Sequence, residues 1–180
     1  MLDRRRFLVK LAGGLAVVAA APAAAIGRRS YARGPKSGKP DGALLAALEQ
    51  SPYVYVSPLR GDGQESTCHA EVWFGWIDGA VVVTVASDRW KATSIDRGLA
   101  RARVWVGDYG RWKAADSKTE SFREGPSFAA RAEKLQDEAL LEKLLSQYDE
   151  KYPDEMGKWR DRMRKGHAEG SRVLIRYTPA

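Results

Sequence analysis

Residues 68–86 read CHAEVWFGWIDGAVVVTVA, and the fold turns on them. Two runs rich in β-branched and aromatic residues, 68–77 and 80–86, flank a single Asp78-Gly79 pair. The two-residue turn that matches strand twist needs positive φ at both central positions, which this pair accepts more readily than any β-branched residue. The stretch therefore predicts a tight β-hairpin. Its second run, Ala80 to Ala86, is apolar everywhere except Thr84. A strand covered on both faces has that composition, so it belongs inside a barrel or sandwich rather than at an edge.

Working outward, YVYVSPL at 53–59 alternates aromatic and aliphatic residues and predicts a half-buried strand. Before it, Asp41 can cap a short helix carrying Leu44, Leu45 and Leu48, which Ser51-Pro52 ends. After the hairpin, Ser87 or Asp88 can cap a short helix that Trp90 opens and Gly98 closes, and ARVWVGD at 102–108 reads as a strand. The stretch 107–134 has no pattern that places it, and PSFAARAEKL within it combines a helical composition with a strand position. Leu140, Leu141, Leu144, Leu145 and Tyr148 then recur at helical spacing, and a second helix after Pro153 carries Met156, Trp159 and Met163. SRVLIRYTP predicts a final strand. Strands outnumber helices, so the expected class is mainly β (α+β), a small β-barrel of about six strands with flanking helices over residues 43–180.

The 180 residues suit one domain plus a leader. A single cysteine, Cys68, excludes an intrachain disulfide and a cysteine zinc cluster. His69 and His167 lie far apart without metal-ligand spacing, and no GxSxG elbow or phosphate-loop motif is present. The net charge is +7, but residues 1–25 set four cations against Asp3 and supply +3 of it. The remaining surface is only mildly basic, so no nucleic-acid partner is expected. Residues 1–25 have a basic head, an apolar stretch from Leu11 to Ile26 broken by Pro22, and small residues Ala23-Ala24-Ala25 at a cleavage position. That stretch falls short of the ~20 residues a spanning helix needs, so the mature form is expected to have no stable membrane span; an uncleaved anchor is the alternative. Residues 26–42, rich in Gly, Pro, Ser and cations, read as a flexible linker.

One constellation could carry binding chemistry. Thr84, Ser87, Arg89 and Lys91 fall where a strand ends and a short helix begins, putting hydroxyls, free N–H groups and two cations together as an anion site requires. The plainer reading is a solvated cap with a snorkelling lysine. His69 and Glu71 share a strand face, as a polar pair at a barrel rim or interface would. Six tryptophans suit core packing, or walls for a planar ligand.

Residues 70–106, AEVWFGWIDGAVVVTVASDRWKATSIDRGLARARVWV, resemble the pyridoxamine 5′-phosphate oxidase-like split β-barrels that bind FMN or the deazaflavin F420. The resemblance extends more loosely over 44–178. It implies that Thr84, Ser87 and Lys91, with Arg89 nearby, grip the cofactor phosphate and that Trp73 lies near the ring. It also implies a homodimer and a small-molecule substrate. The Arg-x-x-x-Leu-Lys stretch of the true pyridoxamine phosphate oxidases is missing, which argues against vitamin B6 as that substrate. Asp3-Arg4-Arg5-Arg6-Phe7-Leu8 resembles the twin-arginine (Tat) export signal, whose route carries folded, often cofactor-loaded proteins out of the cytoplasm. The reading is an exported flavin- or deazaflavin-dependent oxidoreductase. The alternatives are a non-enzymatic module for haem, flavin or another small ligand, with His69 as first suspect for a haem ligand, and an interaction protein whose barrel has lost its ligand.

Arginine and lysine carry the same charge with different fork geometry. Replacing Arg4 and Arg5 together by lysine is expected to trap the precursor in the cytoplasm. Fractionation showing unchanged export of the double variant would mean the leader is read only as positive charge.

Overall fold

A computed structural model of the chain describes residues 40–110 and 120–180. The expected leader at 1–25 and nearly all of the expected linker at 26–42 lie outside the described residues. The described elements run α1 (Gly42–Gln50), β1 (Tyr53–Pro58), β2 (Ala70–Val72), β3 (Gly75–Ile77), β4 (Ala80–Ala86), α2 (Trp90–Asp96) and β5 (Arg101–Gly107). A 3₁₀ turn (Ser121–Glu124), β6 (Ser127–Leu135), α3 (Glu138–Lys151), α4 (Pro153–Ala168) and β7 (Arg172–Pro179) follow.

The strands form one antiparallel sheet in the order β2-β1-β5-β6-β7-β4-β3. Its outer strands, β2 and β3, are joined in sequence by Trp73 and Phe74 alone. Seven strands laid flat would hold their edges about 29 Å apart. Three peptide steps reach at most about 11 Å. The sheet therefore has to roll until its edges meet. The run 68–77, expected as one strand, is thus two strands on opposite edges of the rolled sheet, and the count rises to seven.

At the join the backbone leaves its strand partners and tyrosines replace them. The Tyr148 hydroxyl donates to Trp73 O at 2.7 Å. The Phe74 N–H donates to the Tyr152 hydroxyl at 3.4 Å, and that hydroxyl donates to Pro52 O at 2.5 Å. Phe74 turns into the barrel and is fully buried. The Lys151 ammonium lies 3.7 Å from its ring centroid and donates to Leu48 O and Ser51 O at 3.4 and 3.2 Å.

The hairpin forms as expected, with Asp78 at φ 51° and Gly79 at φ 76°. β4 is apolar on both faces for a clear reason. Val81, Val83 and Val85 fill the barrel, while Val82 meets Leu140, Leu144 and Leu145 under α3. β1 was expected to be half-buried, yet both its faces are covered. Val54 and Val56 point inward, and outward-facing Tyr55 is covered by its cross-strand partner Trp105 and by Phe122, stacked at 5.0 Å. The ambiguous PSFAARAEKL is β6. Its Phe128, Ala130 and Ala132 face inward, and Ala130 pairs with Ala102, so alanine serves here as a small interior filler rather than a helix former. Asp41 and Asp137 cap α1 and α3 by accepting from Leu44 N and Leu140 N at 3.0 and 2.9 Å. α2 lacks its expected cap. Arg89 holds the cap position without a side-chain bond, and the Ser87 N–H is taken by Ser171 O at 2.9 Å.

Tyr152→Phe strips the Phe74 N–H of its partner in a buried place, at a cost of about 1–3 kcal/mol. Urea titration is expected to show that loss; an unchanged midpoint would remove Tyr152 from the closure. Burial lowers the Lys151 pKa to about 8. Between there and the ordinary lysine value of 10.5 the unfolded chain holds a proton that the folded chain has released. Stability is therefore expected to rise from pH 8 toward pH 10. Lys91, whose pKa burial also lowers, adds to the slope. Denaturation midpoints against pH should be flatter for Lys151→Met than for the parent, and parallel curves would count against the assignment.

Candidate functional site

Trp73 and Thr84, both expected at a ligand site, come together on the outside of the barrel. Val72, Trp73 and Thr84 form one wall of a cavity of 270 Å³, and Tyr148, Trp159, Met163 and Arg172 form the rest. β4 presents Thr84 outward by the same alternation that sends Val83 and Val85 inward. β7 starts at Arg172, opposite Ala86 on β4, which brings the guanidinium over the neighbouring threonine. Its Nε donates to Thr84 Oγ1 at 3.3 Å and its Nη2 to Thr84 O at 2.9 Å. Among the described residues no carboxylate lies within ion-pairing distance of Arg172. Burial lowers its pKa, which the nearby Tyr148 partly offsets.

The aromatic walls are held differently. Trp73 stacks on Tyr152 with centroids 4.4 Å apart and meets Tyr148 edge-on at 5.9 Å. Burial holds the Tyr148 phenol well above its ordinary pKa, so it stays a neutral donor. Trp159, expected on the packed face of α4, is 40% exposed at the mouth of the cavity. The site thus offers a partly dehydrated cation, a hydroxyl and indole surface, a set that fits an anionic group attached to a planar one.

The other expected residues lie around this site or away from it. Ser87 is tied through its backbone to Ser171, next to Arg172. Arg89 is exposed, 3.7 Å from Asp88. Lys91 is not solvated. It is 6% exposed, because α2 packs against the barrel with Lys91, Ala92 and Ser94 buried. Its ammonium lies 3.7 Å from Cys68 Sγ, and burial lowers its pKa. His69 belongs to another cluster. Nδ1 is bonded to Ser57 Oγ, while Nε2 lies 3.5 Å from Arg123 and 3.8 Å from Glu120. Burial first, then Arg123, lowers its pKa and favours the neutral ring. Arg123 is itself held by Glu120 and Glu65 at 2.6 and 2.7 Å. Among the described residues there is no group of three potential metal ligands, and no helix long and apolar enough to cross a membrane.

Arg172 and Tyr148 went unnoticed as site residues in the sequence. Arg172 reads there as the polar start of a closing strand and Tyr148 as one more apolar position of a helix. Only the pairing of β7 with β4 and the packing of α3 reveal them.

No family model matches the chain, and no curated protein matches it. Solved structures do. HutZ, the heme storage protein of Vibrio cholerae, superposes with a TM-score of 0.50 at 11% identity, over 76% of this chain and 87% of its own. The conserved hypothetical protein Rv2991 of Mycobacterium tuberculosis gives 0.50 at 17% identity, over 80% and 84%. The chain has the α+β split-barrel fold. Atu2129 of Agrobacterium tumefaciens, of unknown function, gives 0.50 at 19% identity over 83% of this chain and 58% of its own. At these identities the likeness is one of fold, and the chemistry of this split barrel rests on its own residues.

Proposed function

We propose that this split barrel holds a planar, phosphate-bearing redox cofactor, FMN or F420, and works as an exported oxidoreductase on a small molecule. The carrying observation is Arg172: a half-buried guanidinium with no carboxylate partner among the described residues, fixed by Thr84 beside indole surface. In this reading Arg172 and Thr84 hold the phosphate, with Ser87 adjacent, and Trp73 and Trp159 line the path to the ring. The bound cofactor supplies the hydride chemistry, while the chain orients it and limits water. A cavity of 270 Å³ is below the ~300–1,000 Å³ of sites that enclose a whole cofactor-sized ligand. We therefore assign completion of the site to a second copy of the chain, which makes the active form a homodimer. Export through the twin-arginine route, read from Arg4 and Arg5, fits a protein loaded with cofactor before it leaves the cytoplasm.

The haem reading draws on HutZ, whose name states heme storage. His69, its first suspect, has both ring nitrogens engaged by Ser57 and the Arg123–Glu120 pair, so the flavin and deazaflavin reading stands ahead.

A charge-assisted hydrogen bond is worth about 1.5–3 kcal/mol. Arg172→Gln is therefore expected to weaken FMN or F420 binding about ten- to a hundred-fold in a fluorescence titration of the full chain. A parent that binds neither cofactor would overturn the proposal. Loss of affinity in Lys91→Met but not in Arg172→Gln would move the phosphate to α2.

A further inference from the structure

The outer face of β5 and β6 concentrates positive charge. Arg101 and Arg131 are direct cross-strand partners on these antiparallel strands. Like charges directly opposite each other destabilise a strand pair. Neither has an acidic partner within ion-pairing distance among the described residues. Arg103, next on the same face, sits opposite Ala129, and its Nε is buried without a hydrogen-bond partner. Arg60 arrives from the loop after β1, held by Gln64 at 2.9 Å and Asp62 at 3.2 Å. These four arginines surround a cavity of 870 Å³, with small Ala129 and the backbone of Gly61, Gly63 and Gly98 among its other walls. It shares no lining residue with the Arg172 cavity.

We propose that this groove is a second ligand site, and that it binds a small molecule carrying a diphosphate. Four guanidinium groups against two carboxylates, Asp62 beside Arg60 and Glu65 acting on Arg103, leave a surplus of two charges, which a diphosphate matches and a single carboxylate does not. Arginine forks pair with phosphate oxygens two at a time, and cross-strand partners stand about 5 Å apart, close enough for adjacent phosphates. The volume falls within the ~300–1,000 Å³ of small-ligand sites, leaving room for an organic group beyond the phosphates. Retaining a repulsive arginine pair on a sheet that could hold an ion pair is a stability cost that binding explains. The proposal does not depend on the cofactor reading of the Arg172 cavity.

The test is calorimetric titration of the full chain with pyrophosphate, ADP and adenosine. Pyrophosphate and ADP are expected to bind saturably and adenosine not at all. Arg101→Gln and Arg131→Glu should each weaken pyrophosphate binding at least tenfold, while Lys158→Gln, on α4 and in the lining of neither cavity, leaves it unchanged. Arg131→Glu also creates an opposite-charge pair with Arg101, so its melting temperature should match or exceed the parent's. Absence of pyrophosphate and ADP binding in the parent overturns the proposal, as does unaltered binding in Arg101→Gln. Loss of pyrophosphate binding only in Arg172→Gln assigns the phosphate to the other cavity. A single-stranded oligonucleotide that binds more tightly than ADP at the same salt makes the groove a polyanion surface instead.

Discussion

Two residues have to join strands at opposite edges of a seven-stranded sheet, and most of the architecture follows from that. Trp73 and Phe74 cannot span a flat sheet, so the sheet closes around an interior filled by Phe74, Val81, Val83 and their neighbours. At the join, backbone groups lose their ladder partners, and a buried amide or carbonyl left alone is costly. Tyr148 and Tyr152 supply the missing bonds, which ties α3 and its C-terminal end to the seam. The same two side chains go to opposite sides: Phe74 into the barrel, and Trp73 outward onto Tyr152. The outer pocket is therefore a consequence of closure. It lies where the seam, the helices and the start of β7 meet.

The hairpin, the Asp41 cap of α1 and the doubly buried β4 were legible in the sequence, because each depends on local chemistry: Asp78-Gly79 at positive φ, Asp41 at a helix start, and a run that is apolar everywhere except Thr84. β6 was not legible, because alanine favours helix locally and only the crowded interior opposite Ala102 makes it a strand residue. The break between β2 and β3 was hidden for a similar reason. An apolar run does not announce that its two halves pair with different neighbours.

The site was legible only in part. Thr84 stands out where a strand ends before a short helix, Trp73 enters only through the family resemblance, and the structure brings the two into one cavity. The cation there is Arg172, 88 residues from Thr84, and no spacing rule connects them. Lys91 shows the converse. Four residues after Ser87 it has the spacing of an anion grip, yet tertiary packing buries it against Cys68. Arg101 and Arg131 were likewise invisible as a pair until β5 and β6 were placed side by side.

We propose that closure leaves a pocket on the barrel's outer face that holds the cofactor. The most direct measurement is the absorption spectrum of the full chain, purified folded from a host that makes both FMN and F420. A flavin or deazaflavin band that disappears on denaturation and passage through a desalting column is expected. A colourless protein, or one carrying only a haem band, would contradict it.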